Sequence, residues 1–147
     1  MNFIYCHNML FVCSACVVSF ARPSYTFLEL DSSSDQFVVL ELQTLSEVTV
    51  TVQVELTTFI GNGTSTEATL NQDYSFSNGL LVNFLEGESM MNIPLSILPD
   101  DFIERGEGFT LQFSRAPNSP PITNGPNPTT TVFIIDNDGK KNFQFWS

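Results

Sequence analysis

From Tyr25 onward, apolar side chains recur at every second position, the period at which a pleated strand turns successive residues to opposite faces. The segment from Val48 to Leu56 shows this best: Val48, Val50, Val52, Val54 and Leu56 share one face, and Thr49, Thr51, Gln53 and Glu55 the other. A looser version of the same rhythm marks Tyr25 to Leu30, Phe37 to Leu42, Gly79 to Phe84, Met91 to Ile97, Phe109 to Phe113 and Thr131 to Ile135. Turn chemistry separates them, in Gly61-Asn62-Gly63-Thr64, Ser77-Asn78-Gly79, Glu86-Gly87-Glu88 and Gly106. About seven strands at hairpin spacing, with no long helical periodicity, predict an all-β fold, a seven-stranded antiparallel immunoglobulin-like β-sandwich; a small closed barrel is the competing all-β answer. The single tryptophan, Trp146, lies at the far end of the chain, so the Cys-Trp-Cys arrangement of antibody-type domains is missing. Ala116 to Pro128 holds five of the eight prolines, which cannot pair inside a sheet, and is expected to be a surface loop joining the last two strands.

The first residues follow a different pattern. Met9 to Ala21 is apolar and uncharged and ends in Ser19-Phe20-Ala21 before Arg22-Pro23. Its length suits the apolar region of a signal peptide and its end suits the small-residue cleavage rule, whereas a spanning helix needs about 20 apolar residues. The basic residues that usually precede such a region are absent. The expected organisation is a signal peptide over residues 1–21, a sandwich over 22–138 and a tail over 139–147, with no membrane span. Asn62-Gly63-Thr64 is an N-x-Thr sequon in an expected loop, which makes Asn62 a candidate glycosylation site. The chain is therefore expected to be secreted or to sit on the extracellular face of a membrane.

Composition narrows the chemistry. The length of 147 residues suits one domain. Five Lys plus Arg against sixteen Asp plus Glu give a formal net charge of -11, which repels phosphate backbones and anionic lipid and so argues against nucleic acid as a partner and against electrostatic docking on a membrane, while attracting cations. With 42% hydrophobic residues and fourteen Phe, the chain is too apolar for a disordered acidic tail. Cys6, His7, Cys13 and Cys16 account for every cysteine and histidine, so residues beyond Arg22 have no side chains for thiolate zinc sites or for Cys-His or Ser-His catalysis. Cys13-Ser14-Ala15-Cys16 has C-x-x-C spacing but lacks the βαβ context of a redox motif.

Carboxylates remain, and they collect at strand ends. Asp100, Asp101 and Glu104 follow the strand ending near Leu98, and Asp136-Asn137-Asp138-Gly139 follows the last strand. Strands leaving in the same direction end at one pole. If the two loops meet, each close like-charge pair costs about 1 to 4 kcal/mol at effective dielectrics between water and protein surface. A hard divalent cation relieves that repulsion, and calcium, with six to eight oxygen ligands in irregular geometry, fits better than magnesium. The plainer reading keeps these aspartates as turn formers whose side chains bond their own backbone. Glu86-Gly87-Glu88 reads as an exposed hairpin turn, and Glu107 as a residue pointing away with the strand that follows it.

Ordered blocks sharpen this picture. Gln72-Asp73-Tyr74, Leu80 to Glu88, Ile93 to Asp101, Ile103 to Leu111 and Val132 to Asp138 together resemble the Calx-beta domain, a family of sodium-calcium exchangers and of extracellular repeat proteins. The resemblance covers about Phe37 to Asp138. It implies an immunoglobulin-like sandwich with calcium bound at one end, and by position it implies Glu41, Asp73, Asp100, Asp101, Glu104, Asp136 and Asp138 as ligands. Two departures stand out: Glu41 is followed by Leu42 rather than by glycine, and the closing cluster carries neutral Asn137.

The function expected from all this is a calcium-binding module, not an enzyme, in a secreted or membrane-associated protein with a role in cell adhesion or cell communication. Its partners would be calcium, other extracellular or membrane proteins, or further Calx-beta domains. One alternative is an adhesive sandwich that no longer binds the ion. Another is a carboxylate-pair hydrolase, which the bunching of acids at strand ends disfavours.

Overall fold

In the computed structural model, residues 16–29, 36–44, 52–59 and 66–138 are described. They form β1 (Cys16–Phe20), β2 (Ser24–Leu28), β3 (Gln36–Thr44), β4 (Val52–Phe59), β5 (Thr66–Glu67), β6 (Tyr74–Ser75), β7 (Leu80–Phe84), β8 (Met90–Ile97), β9 (Glu107–Arg115), β10 (Thr123–Asn124) and β11 (Thr129–Ile135). One sheet has the order β10-β1-β3-β8-β6, and the other β2-β11-β9-β4-β7 with β5 against β9. All seven strands expected from the alternation are present, although Val48 to Thr51 and the sequon at Asn62 lie outside the described residues.

Alternation sends one face of each long strand into the space between the sheets. Val38, Leu40 and Leu42 of β3 and Ile93, Leu95 and Ile97 of β8 meet Val52, Val54 and Leu56 of β4, Phe109, Leu111 and Phe113 of β9, and Val132 and Ile134 of β11. Register aligns these faces, as where Val54 stands opposite Val82 and Val132 opposite Phe109. Phe20 and Phe113 lock the sheets together, their ring centroids 5.6 Å apart at 55°.

Three expectations are corrected. The strand count among the described residues is eleven, and the pairing is mixed, because β1 with β10, β2 with β11 and β5 with β9 run parallel. The boundary at Ala21 also moves. Cys16, Val18 and Phe20, assigned above to a cleaved leader, are at most 1% exposed in a strand flanked by β3 and β10. A short apolar run reads alike as a leader or as a buried strand, and here tertiary burial decides for the strand. Finally, the proline-rich connection is not a plain surface loop. It contributes β10, buries Ala116 and Ser119, and returns Asn127 to bond Phe20, with Phe20 N donating to Asn127 O at 2.9 Å. Gly125 is required in this closure, since a Cβ there would sit 2.6 Å from the Ser19 Cβ.

The sandwich therefore depends on residues before Arg22. A chain beginning at Arg22 is expected to lose its cooperative urea transition, and Phe20→Ala in the full chain to lower the unfolding free energy by about 3–5 kcal/mol.

Candidate metal centre

Strand pairing brings the acids together. β2 and β11 run parallel with Leu28 opposite Ile135, so the next residues, Glu29 and Asp136, emerge side by side, and Glu29 N donates to Ile135 O at 3.0 Å. β9 is antiparallel to β11 with Glu107 opposite Ile134, which places the start of β9 at the same pole. β8 also ends there: Tyr74 faces Ile97, and Leu98 N donates to Asp73 O at 2.9 Å.

Two groups of three carboxylates result, Glu29 with Asp136 and Asp138, and Asp73 with Glu104 and Glu107, with one carboxylate oxygen from each member within 4.8 Å of the others in its group. A small pocket between them is lined by Glu29, Asp73, Glu104, Glu107 and Asp136, with Arg105 as its one cationic side chain. Its cavity volume of ≈ 10 Å³ is close to that of one water-sized body.

Backbone donors orient these acids. Asp100 N donates to Glu29 Oε1 at 2.8 Å and Glu104 N to Asp136 Oδ2 at 2.8 Å. Asp138 N donates to Asp136 Oδ1 at 2.6 Å and Phe102 N to Asp100 Oδ1 at 2.7 Å. Thr69 N donates to Asp73 Oδ2, closing a turn in which Asn71 adopts φ 67°. The Asn137 amide donates to Glu29 O, so this neutral residue ties β11 to β2.

The crowding shows in the acids' proton affinities. Burial, then hydrogen bonding and repulsion from Asp73, push the Glu107 carboxyl up to about 7, with Glu104 and Glu29 adding repulsion. Glu107 Oε2 is buried with no hydrogen-bond partner. Glu29 is raised by desolvation, against a lowering by the Asp100 backbone bond, and then by repulsion from Asp100, Asp136 and Asp138. Exposed Glu104 is raised by desolvation and by repulsion from Asp100, Asp73 and Asp136. An all-oxygen donor set with an orphaned buried oxygen and unrelieved repulsion fits a hard cation of the calcium type.

Of the residues expected as ligands, Asp73, Glu104, Asp136 and Asp138 fall within the two groups. Asp100 borders them through its bond to Glu29. Asp101 is exposed and its carboxylate belongs to neither. Glu41 is elsewhere: it pairs with Met90 and Ser19, five residues along β3 from Gln36, or about 17 Å. The early glutamate at this pole is Glu29 instead. Its signal was available, because it follows the alternating Tyr25 to Leu28 just as Asp136 follows Ile135. Glu107, set aside as pointing away, opens β9 and faces the pocket.

The sequence model of the Calx-beta domain matches residues 14–138. The chain belongs to the Calx-beta family. That match also begins before β1, in keeping with the revised boundary. Among solved structures, the apo-form Calx CBD1 domain is similar at a TM-score of 0.68 and 20% identity, covering 84% of this chain and 98% of that one. The Calx CBD2 domain is similar at 0.65 and 18%, covering 89% and 94%. The calcium binding domain CBD12 of CALX1.1 is similar at 0.66 and 21%, covering 82% of this chain and 46% of that one, so the chain spans less than half of that structure. At these identities the likeness is one of fold. No curated protein sequence matches.

The raised carboxyls of this Calx-beta domain make its ion-free form pH-sensitive in a definite direction. Glu107 binds its proton more tightly when folded than at the ordinary value of 4.5. The stabilisation from protonation is complete below about 4.5 and is lost as pH rises through about 7. In chelator, the melting temperature is therefore expected to rise as pH is lowered from 8 to 5.5, and Glu107→Gln to flatten that rise. A melting series in EDTA measures both.

Proposed function

We propose that this domain is a calcium-binding Calx-beta module, a binding unit rather than an enzyme. The observation that carries the reading is the convergence of six carboxylates in two groups, five of which line a pocket with one cationic side chain. Glu29, Asp136 and Asp138 would hold one ion, and Asp73, Glu104 and Glu107 another, with Asp100 at the border and Asp101 available from the loop. Calcium bound there would neutralise the repulsion that adds to burial in raising Glu29, Glu104 and Glu107. It would stabilise the fold by about 2.7 kcal/mol at a free concentration a hundredfold above Kd.

The setting we favour is a secreted or membrane-associated extracellular protein that serves cell adhesion or cell communication. Further Calx-beta domains are natural neighbours in such a protein, since this chain spans 44% and 46% of the two CBD12 structures it resembles. The glycan at Asn62 belongs to the same proposal.

A second reading, an adhesive sandwich without the ion, draws on the turn-forming roles that Asp100 and Asp136 already fill through backbone N–H groups. Calorimetric titration with calcium, paired with melting in calcium and in EGTA, separates the two. Saturable binding and a calcium-dependent rise in melting temperature are expected, with both lost in Glu29→Gln/Asp136→Asn and kept in Glu41→Gln. Superimposable melting curves in calcium and chelator would favour the ion-free reading.

A further inference from the structure

The basic residues of the chain are Arg22, Arg105, Arg115, Lys140 and Lys141. Two of them are engaged away from the acidic pole. Arg22 lies over the Tyr25 ring, 5.8 Å from its centroid, and Arg115 Nε donates to Ser119 O at 2.7 Å. Arg105 is the one cationic side chain lining the acidic pocket. Both lysines follow that pole directly, two and three positions after Asp138, so their Cα atoms lie within about 11 Å of its own. The point from which residues 139–147 depart is fixed among the carboxylates, because the Asn137 amide donates to Glu29 O and Glu104 N to Asp136 Oδ2.

Beyond the lysines the same segment turns aromatic, with Phe143, Phe145 and Trp146. The pole has an apolar rim to match. Leu28 and Ile135, paired across β2 and β11, are 47% and 44% exposed and directly precede Glu29 and Asp136. Phe102 and Ile103, at 72% and 65% exposure, directly precede Glu104.

We propose that residues 139–147 fold back on the acidic pole of the ion-free domain, with Lys140 and Lys141 as counter-ions of its carboxylates and the three aromatic rings against its apolar rim, and that calcium displaces them. The displacement rests on the calcium reading above; the docking does not.

Charge and tethering both favour this occupant. A second copy of the chain, with the same net charge of -11, is repelled by the pole, whereas the Lys140-Lys141 pair is attracted. Exposed ion pairs are individually weak, but a tether of two or three residues holds these lysines beside the carboxylates at high effective concentration, and ring contacts with the rim add apolar burial. A divalent ion on the same carboxylates removes the charge that attracts the lysines, so ion and segment exclude each other.

Trp146 is the single tryptophan, so the intrinsic fluorescence of the full chain reports on the segment directly. In EGTA its emission is expected to be blue-shifted and shielded from acrylamide, independently of protein concentration. Lys140→Gln/Lys141→Gln and, separately, Leu28→Thr/Phe102→Ser/Ile103→Ser/Ile135→Thr are expected to red-shift the emission and restore quenching while a cooperative melt is kept. Calcium is expected to do the same to the unsubstituted chain, and the lysine variant to bind calcium about two- to tenfold more tightly by calorimetry. A solvent-exposed Trp146 in EGTA would overturn the docking, as would shielding that either variant leaves intact or that is lost on dilution. Calcium binding that leaves Trp146 shielded, with the same affinity in the lysine variant, would overturn the displacement. No calcium binding at all, with Trp146 still shielded in EGTA, would remove the calcium reading and the displacement while the docking stands.

Discussion

Parallel pairing between Ser24–Leu28 and Thr129–Ile135 decides where the acidic pole can form, because parallel strands deliver their next residues to the same place. Glu29 and Asp136 have to lie together once the apolar faces of both strands are buried. The antiparallel partner β9 then adds Glu107, and the end of β8 adds the loop that carries Asp100 and Glu104. In their ionised forms these carboxylates repel one another. At effective dielectrics between water and protein surface, each close pair costs about 1 to 4 kcal/mol, and the hydrophobic core offsets that cost.

The backbone also orients the carboxylates at the pole. Backbone N–H groups of Asp100, Glu104, Asp138 and Thr69 orient the carboxylates of Glu29, Asp136 and Asp73. A cation of the proposed kind would meet oriented oxygens there, so less ordering entropy would oppose its binding. The ring stack of Tyr74 on Phe109, with centroids 3.7 Å apart, couples the turn carrying Asp73 to the strand opened by Glu107. Packing within the sandwich and geometry at its pole are thus joined through one aromatic contact.

Legibility in the sequence differed with the range of the interaction involved. Strands whose two faces meet different environments announce themselves by alternation, and β4 and β8 are plain examples. Cys16–Phe20 does not alternate, because Ser19 as well as Val18 and Phe20 is buried, under the returning proline-rich segment. Thr123–Asn124 is too short to carry a pattern. At the site, Asp73, Glu104, Asp136 and Asp138 were reachable from strand-end position and family resemblance together. Glu41 fitted the resemblance by neighbouring residues, yet its register with Met90 puts it well along β3 from the pole. Glu29 has an ordinary alternating strand before it, and only parallel pairing with β11 gives it a neighbour.

The sequence by itself determined the all-β class, the inward and outward faces of the long strands, and the restriction of chemistry to carboxylates, since each of these follows from residue type and local period. Which carboxylates meet was decided by tertiary structure. Strand pairing acts between residues such as Leu28 and Ile135 that lie more than a hundred positions apart in the chain, and a local pattern holds no information about a partner so distant. The same holds for β1, where burial under the Asn127 segment turns an apolar run into a strand of the core.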